Sequence, residues 1–108
     1  MFFVYFFVAL PPEIVEPPRQ EATVDRRTVT LICRVFGAPK PEVKWIRNGL
    51  ELTGGRYKVQ TNGDLEIIDV GFADAGEYTC YATNKFGSKE ANGTLIVKGM
   101  LFFVPEHK

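Results

Sequence analysis

The sequence predicts an all-β domain, a sandwich or barrel of short strands. Three observations lead there. Apolar and polar residues alternate with a period of two in one segment after another. Turn signals rich in Gly, Pro, Asn and Asp separate those segments at short intervals. No stretch repeats apolar residues at i, i+3, i+4 and i+7 over several turns, as an amphipathic helix would. A chain of 108 residues suits one such domain.

The elements follow in chain order. PPEIVEPPRQEA, residues 11–22, has four prolines in twelve residues, so it reads as an interrupted edge strand, because proline gives no ladder N–H. In VTLIC, Val29, Leu31 and Cys33 share one face and Thr30 and Ile32 the other. GAPKP at 37–41 is a turn; EVKWIRN then points Val43 and Trp45 one way, Lys44 and Ile46 the other. NGL at 48–50 and TGG at 53–55 mark turns. RYKVQT alternates Tyr57 and Val59 against Lys58 and Gln60, and after the turn TNGD, DLEIIDV carries Leu65 and Ile67 on one face. GEYTCYATN places Tyr78, Cys80 and Ala82 inward and Thr79, Tyr81 and Thr83 outward. NKFGSKE reads as a hairpin loop, and ANGTLIVK brings Leu95 and Val97 inward.

Both ends are unlike the rest. MFFVYFFVAL at 1–10 and GMLFFVPEHK at 99–108 hold six of the nine phenylalanines. The first run is too short to span a bilayer, which takes about 20 apolar residues. It also lacks the basic flank and small-residue cleavage site of a secretory signal. These ends read as vector-derived or flanking sequence around a domain at 11–98.

Composition excludes several functions. Thirteen basic and thirteen acidic residues cancel, leaving no basic excess for a nucleic acid. The domain holds one serine, Ser88, and no histidine, and shows no phosphate loop or carboxylate pair, so neither an enzyme nor a cofactor is expected. The two cysteines, Cys33 and Cys80, lie 47 residues apart on inward strand faces, with Trp45 twelve residues after the first. A structural disulfide fits this placement, closing a long loop. Three alternatives stand beside it. A metal site needs three or four clustered ligands, but the one histidine, His107, is in the terminal run. A reactive cysteine wants an electropositive setting and a histidine base. Unpaired core cysteines suit a cytosolic protein.

Tyr78, two positions before Cys80, can bury its ring and bond a backbone group upstream through its hydroxyl, with Gly76 easing the backbone. Arg56 is the natural partner of Asp74 across the end of the sandwich, and the pair reads as structural. Asn92-Gly93-Thr94 is an N-glycosylation acceptor pattern facing outward; its bland alternative is a plain asparagine beside a strand-breaking glycine. Ile46, Tyr81 and Ile96 face outward on what should be one sheet, and Ile32 on the other. Exposed apolar residues on one face can mark a partner surface, although single ones are ordinary. Lys44, Arg47, Lys85, Lys89 and Glu90 would form its rim, with Lys85 and Phe86 at the loop after residue 84.

LICRVFGAPKPEVKWIRNG, NGDLEIIDV and DAGEYTCYATNKFG together resemble immunoglobulin domains of the intermediate (I-set) type, over about residues 11–98. Within that family GAPKPEVKW, NGDLEI and ATNKFG are similar to neural cell-adhesion molecules of the neurofascin, neuroglian and contactin kind. The resemblance implies an antiparallel β-sandwich of two sheets with a cross-sheet disulfide between Cys33 and Cys80. It makes Trp45 and Leu65 core residues and Tyr78 the corner tyrosine. It implies a module of a larger cell-surface adhesion molecule or receptor, with homophilic or heterophilic protein partners and neighbouring immunoglobulin domains, anchored outside this segment. The alternative is an intracellular structural or docking module of a sarcomeric or cytoskeletal protein. One departure from the family is VDRRTV, where members often place a glycine in the turn.

Overall fold

A computed structural model describes residues 8–99. The strands are β1 (Leu10–Glu16), β2 (Gln20–Val24), β3 (Val29–Leu31), β4 (Arg34–Ala38), β5 (Glu42–Arg47), β6 (Leu50–Glu51), β7 (Tyr57–Val59), β8 (Leu65–Ile67), β9 (Gly76–Asn84) and β10 (Gly87–Lys98). One 3₁₀ turn, Phe72–Asp74, precedes β9. The apolar runs at 1–10 and 99–108, with His107, lie almost wholly outside the described residues.

One layer is a five-stranded sheet in the order β2-β10-β9-β5-β6. The other is the three-stranded sheet β3-β8-β7, with β1 and β4 paired as a separate two-stranded ladder. Every pair is antiparallel except β2 with β10, whose register runs from Gln20↔Thr94 to Val24↔Lys98. Prolines cause this split. Pro17 and Pro18 separate β1 from β2, so the first segment pairs β4 and the second crosses to β10.

The alternation read from sequence delivers the core. Val29, Leu31, Leu65 and Ile67 come from one layer and Trp45, Tyr78, Cys80 and Leu95 from the other, all buried, with Cys33 and Val70 beside them. Val29 pairs with Ile67 and Leu31 with Leu65, so both strands turn the same face inward. At the edge strand β7, Tyr57 packs on the core while Val59 is exposed.

Three expectations change. The loop expected at NKFGSKE is a two-residue turn, Lys85-Phe86, closed by the pair Asn84↔Gly87; Ser88, Lys89 and Glu90 already belong to β10. Asn84 explains the tightness, because its carboxamide oxygen accepts the Phe86 N–H at 2.8 Å. GAPKP is half strand: Gly37 and Ala38 belong to β4, Ala38 pairs with Leu10 of β1, and the chain turns only after the cis Ala38–Pro39 bond. Gly93 does not break its strand. It pairs with Tyr78 in mid-β10, buried, and a Cβ there would come within 2.5 Å of Pro18 Cβ. The missing side chain lets the crossing segment at Pro18–Arg19 lie against the sheet.

The turn VDRRTV closes without glycine. Arg26 takes φ 70°, its N–H donates to the Val70 carbonyl at 2.6 Å, and Asp25 N–H donates to Lys98 O at 2.9 Å. A side chain held in this left-handed region costs about 1 kcal/mol that glycine would not. Arg26→Gly is therefore expected to raise stability by up to about 1 kcal/mol, the larger chain entropy of glycine offsetting part of the gain. Urea unfolding checks this, and a loss would show that the Arg26 side chain contributes more than its backbone conformation costs.

Candidate functional site

The central feature is Cys33–Cys80, a disulfide joining the two layers with a Cα–Cα distance of 6.4 Å. Cys80 pairs directly with Trp45 across β9 and β5, which seats the indole beside the bridge. All three residues are fully buried. Trp45 Nε1–H donates to the Gly63 carbonyl at 2.8 Å, so the one polar atom of the ring is satisfied. Gly63 takes φ 100°, which brings that carbonyl to the indole. Neither sulfur is a free thiol, so the reactive-cysteine and metal readings have no ligand or nucleophile to use. Among the described residues no group of three or more His, Cys, Asp and Glu could hold a metal ion.

Asp64, beside Gly63, lies buried beneath the bridge. Its Oδ1 accepts the Cys33 N–H at 3.0 Å and its Oδ2 meets Arg34 Nη2 at 3.2 Å. Asn62 adds a bond from Nδ2 at 3.2 Å. This carboxylate holds the irregular step between β3 and β4, where the cysteine leaves the ladder. The turn TNGD concealed it, because Asp is an ordinary turn residue; the Asn two positions before it is the local signal.

A second constellation sits below β9. Tyr78 O–H donates to Asp74 O at 2.6 Å. Asp74 takes a paired bond from Arg56, Nη1 to Oδ2 and Nη2 to Oδ1, both at 2.9 Å. The same Oδ2 accepts Gly71 N–H at 2.7 Å. Arg47, expected only as a rim charge, completes the corner: Nη2 donates to Ala73 O and Ala75 O at 2.8 and 2.7 Å, and its guanidinium lies 5.0 Å from the Tyr78 ring centre. Gly76, at φ 138°, leaves room for that arginine. Sequence reading missed this role because Arg47 is far from the corner along the chain.

Burial also sets the ionisation here. The Tyr78 phenol is pushed up to about 12, chiefly because burial penalises phenolate. Arg56 holds the Asp74 carboxyl below its ordinary range, against a smaller opposing push from burial, and the Gly71 N–H adds to the lowering. A depressed carboxylate stabilises the fold above its unfolded pKa of about 3.9, and that contribution is lost as pH falls through the lower folded value. Asp74→Asn is expected to cost about 2 kcal/mol at pH 7, the scale of a charged hydrogen bond left unmade. It should also flatten the decline of stability below about pH 4. Thermal scans from pH 2 to 7 check both; an unchanged acid slope would show that Asp74 does not carry it.

The outward residues fall into separate rows. Ile46 pairs with Thr79, which pairs with Asn92; Lys44 pairs with Tyr81, which pairs with Glu90. Ile96 pairs with Ala22 on β2, past the last pair of β9 with β10. Ile46 and Tyr81 are therefore diagonal neighbours on adjacent strands, while Ile96 lies apart from them on the same sheet, and each is half-buried. The larger exposed apolar residues lie elsewhere, Val15 and Phe36 on β1 and β4 among them, at 65% and 58% exposure. Val15 fell in the segment read as an interrupted edge and Phe36 between VTLIC and the GAPKP turn, so no face was assigned to them. Asn92 is exposed on β10, and its Oδ1 accepts the Thr79 hydroxyl at 2.7 Å. At the hairpin tip Lys85 Nζ lies 5.4 Å from the Phe86 ring centre.

A cross-sheet disulfide packed on a buried tryptophan, with a tyrosine corner held by an aspartate, defines a disulfide-bridged immunoglobulin sandwich. The Immunoglobulin I-set domain family matches residues 12–97, and the chain belongs to that family. It is similar to Neuroglian of Drosophila melanogaster, 63% identical over 90 residues, 83% of this chain and 7% of that protein. Neuronal cell adhesion molecule of Gallus gallus is 38% identical over 106 residues, 94% of this chain and 8% of that protein. Among solved structures, Sidekick-1 immunoglobulin domains 1-5 aligns with a TM-score of 0.78 at 35% identity, covering 85% of this chain and 20% of that one. The Titin M10-Obscurin like 1 Ig complex aligns at 0.79 and 30%, covering 83% and 96%. The chain thus spans less than a tenth of the length of these curated relatives. Among the described residues no helix is long and apolar enough to cross a membrane.

Proposed function

We propose that residues 11–98 are a non-catalytic recognition module of a larger cell-surface adhesion protein, acting outside the cell through protein–protein contacts. The observation that carries this reading is the pairing of Cys33 with Cys80 in a chain 63% identical to Neuroglian. Such a bridge persists in oxidising compartments and is rare in the cytosol. The likeness to a protein named a cell adhesion molecule supports the same class. Titin-like neighbours share the fold, which both settings use, so they do not favour the intracellular alternative.

The contact surface in this reading includes the tip of the β9–β10 hairpin. Phe86 is 38% exposed there, beside the Lys85 cation. An aromatic ring with an adjacent cation on a short, rigid turn gives contact area at low entropic cost.

Two measurements test the proposal on the full-length protein containing this domain. Antibody to residues 11–98 should label intact, unpermeabilised cells; labelling only after permeabilisation would overturn the surface assignment. Beads coated with the ectodomain should bind cells bearing its partners, and Phe86→Ser should weaken that binding several-fold. Unchanged binding would remove the hairpin tip from the contact.

A further inference from the structure

The outer face of the five-stranded sheet combines an acceptor sequence with a surface shaped to receive what it would carry. Asn92, Gly93 and Thr94 stand in mid-β10, where alternation turns Asn92 and Thr94 outward and Gly93 into the sandwich. Thr79 donates its hydroxyl to Asn92 Oδ1, which fixes the carboxamide and leaves Nδ2, the nitrogen a sugar would occupy, pointing away from that bond. Ile46 is two strands away in the same row, about 10 Å at ordinary strand spacing. Tyr81 is two residues beyond Thr79 on β9, the diagonal neighbour of Asn92 at about 7–8 Å. A half-buried phenol and an isoleucine thus lie on the same outer face as the acceptor, the phenol the nearer of the two.

We propose that Asn92 carries an N-linked glycan, and that its innermost N-acetylglucosamine lies over Tyr81 and Ile46. The polarised C–H groups of a pyranose suit the negative face of an aromatic ring, and the N-acetyl methyl suits an aliphatic neighbour. The attachment is a substitution. Nδ2 bonds to C1 of a sugar delivered by a lipid-linked pyrophosphoryl oligosaccharide, the bond from C1 to pyrophosphate breaks, and Nδ2 loses a proton. This rests on the extracellular reading, since only a secreted chain meets that donor.

The proposal also gives this face a different use from the one its apolar residues first suggested. Ile46 and Tyr81 hold carbohydrate, so the middle of the sheet is closed to protein partners. The hairpin tip lies at the far end of β9 from Thr79 and stays open.

The test uses the chain secreted from insect or mammalian cells. Intact mass should show one glycan, removed by peptide N-glycosidase, absent in Asn92→Gln and Thr94→Ala and retained in Thr94→Ser. A secreted chain without added mass would overturn the site while leaving the cell-surface labelling to judge the adhesion reading separately. For the platform, nuclear Overhauser contacts should link the first sugar to the Tyr81 ring. Enzymatic removal should lower Tm by about 4 °C in the parent chain and by almost nothing in Tyr81→Thr. A glycan with no contact to Tyr81, or an equal Tm loss in the variant, would overturn its seating on the sheet.

Discussion

Trp45→Ala is expected to cost about 3–5 kcal/mol, the range for deleting a large core aromatic. Trp45 is fully buried, and its loss opens a cavity between the layers beside the disulfide. The change also leaves the Gly63 carbonyl without the Nε1–H bond it holds at 2.8 Å. Against a typical domain stability of about 5–15 kcal/mol, the variant should sit near its unfolding threshold at 37 °C. Urea titration at 25 °C reads the loss directly. Trp45→Phe separates the two causes, since it keeps most of the apolar volume and loses the bond, and should cost less than the alanine variant. A near-neutral alanine variant would remove Trp45 from the core.

The double substitution Cys33→Ala/Cys80→Ala should cost about 4 kcal/mol, the chain entropy released when a closed loop of 47 residues is freed. Mild reduction of the parent chain should have a similar effect, because both routes free the same loop. A loss under about 1 kcal/mol would mean that the packed layers, not the bridge, define the sandwich. Because Asp64 bonds the Cys33 N–H and Arg34, the local turn should survive without the bridge. The near-ultraviolet signal of Trp45 reports whether its packing survives too.

Much of this was legible in the sequence, and the reason is periodicity. Two-residue alternation reports which side of a strand faces inward, so Val29, Leu31, Leu65, Ile67, Tyr78, Cys80 and Leu95 could be read before any coordinates. Alternation does not report which strands are neighbours beyond a hairpin. That is why Ile96 was grouped with Ile46 and Tyr81, although its register pairs it with Ala22 on β2, past the end of the β9 ladder. Nor does it report side chains that reach across loops. Arg47 clamps Ala73 and Ala75, and Asp64 caps the cysteine step, through contacts 26 to 31 residues apart in sequence. The tight turn at Lys85-Phe86 was missed for a local reason. NKFGSKE looks polar enough to be a loop, but one Asn side chain bonds its backbone two residues on and shortens it.

The parallel pairing of β2 with β10 has a mechanical meaning. The chain passes through β1, held by β4, before it reaches β2, and it leaves from β10, so once β1 is drawn off β4 a pull on both ends acts along β2 and β10. Their paired rungs, from Gln20↔Thr94 to Val24↔Lys98, would be sheared together instead of opening one after another. If that seam gives way, the crosslink sets a second limit. Only the segments before Cys33 and after Cys80 can be drawn out, while the chain between the two sulfurs, a sequence separation of 47, stays looped. At about 3.4 Å per extended residue, that holds back roughly 160 Å of chain. Stretched from its two ends, the domain therefore yields a limited first extension and is then held by its crosslink.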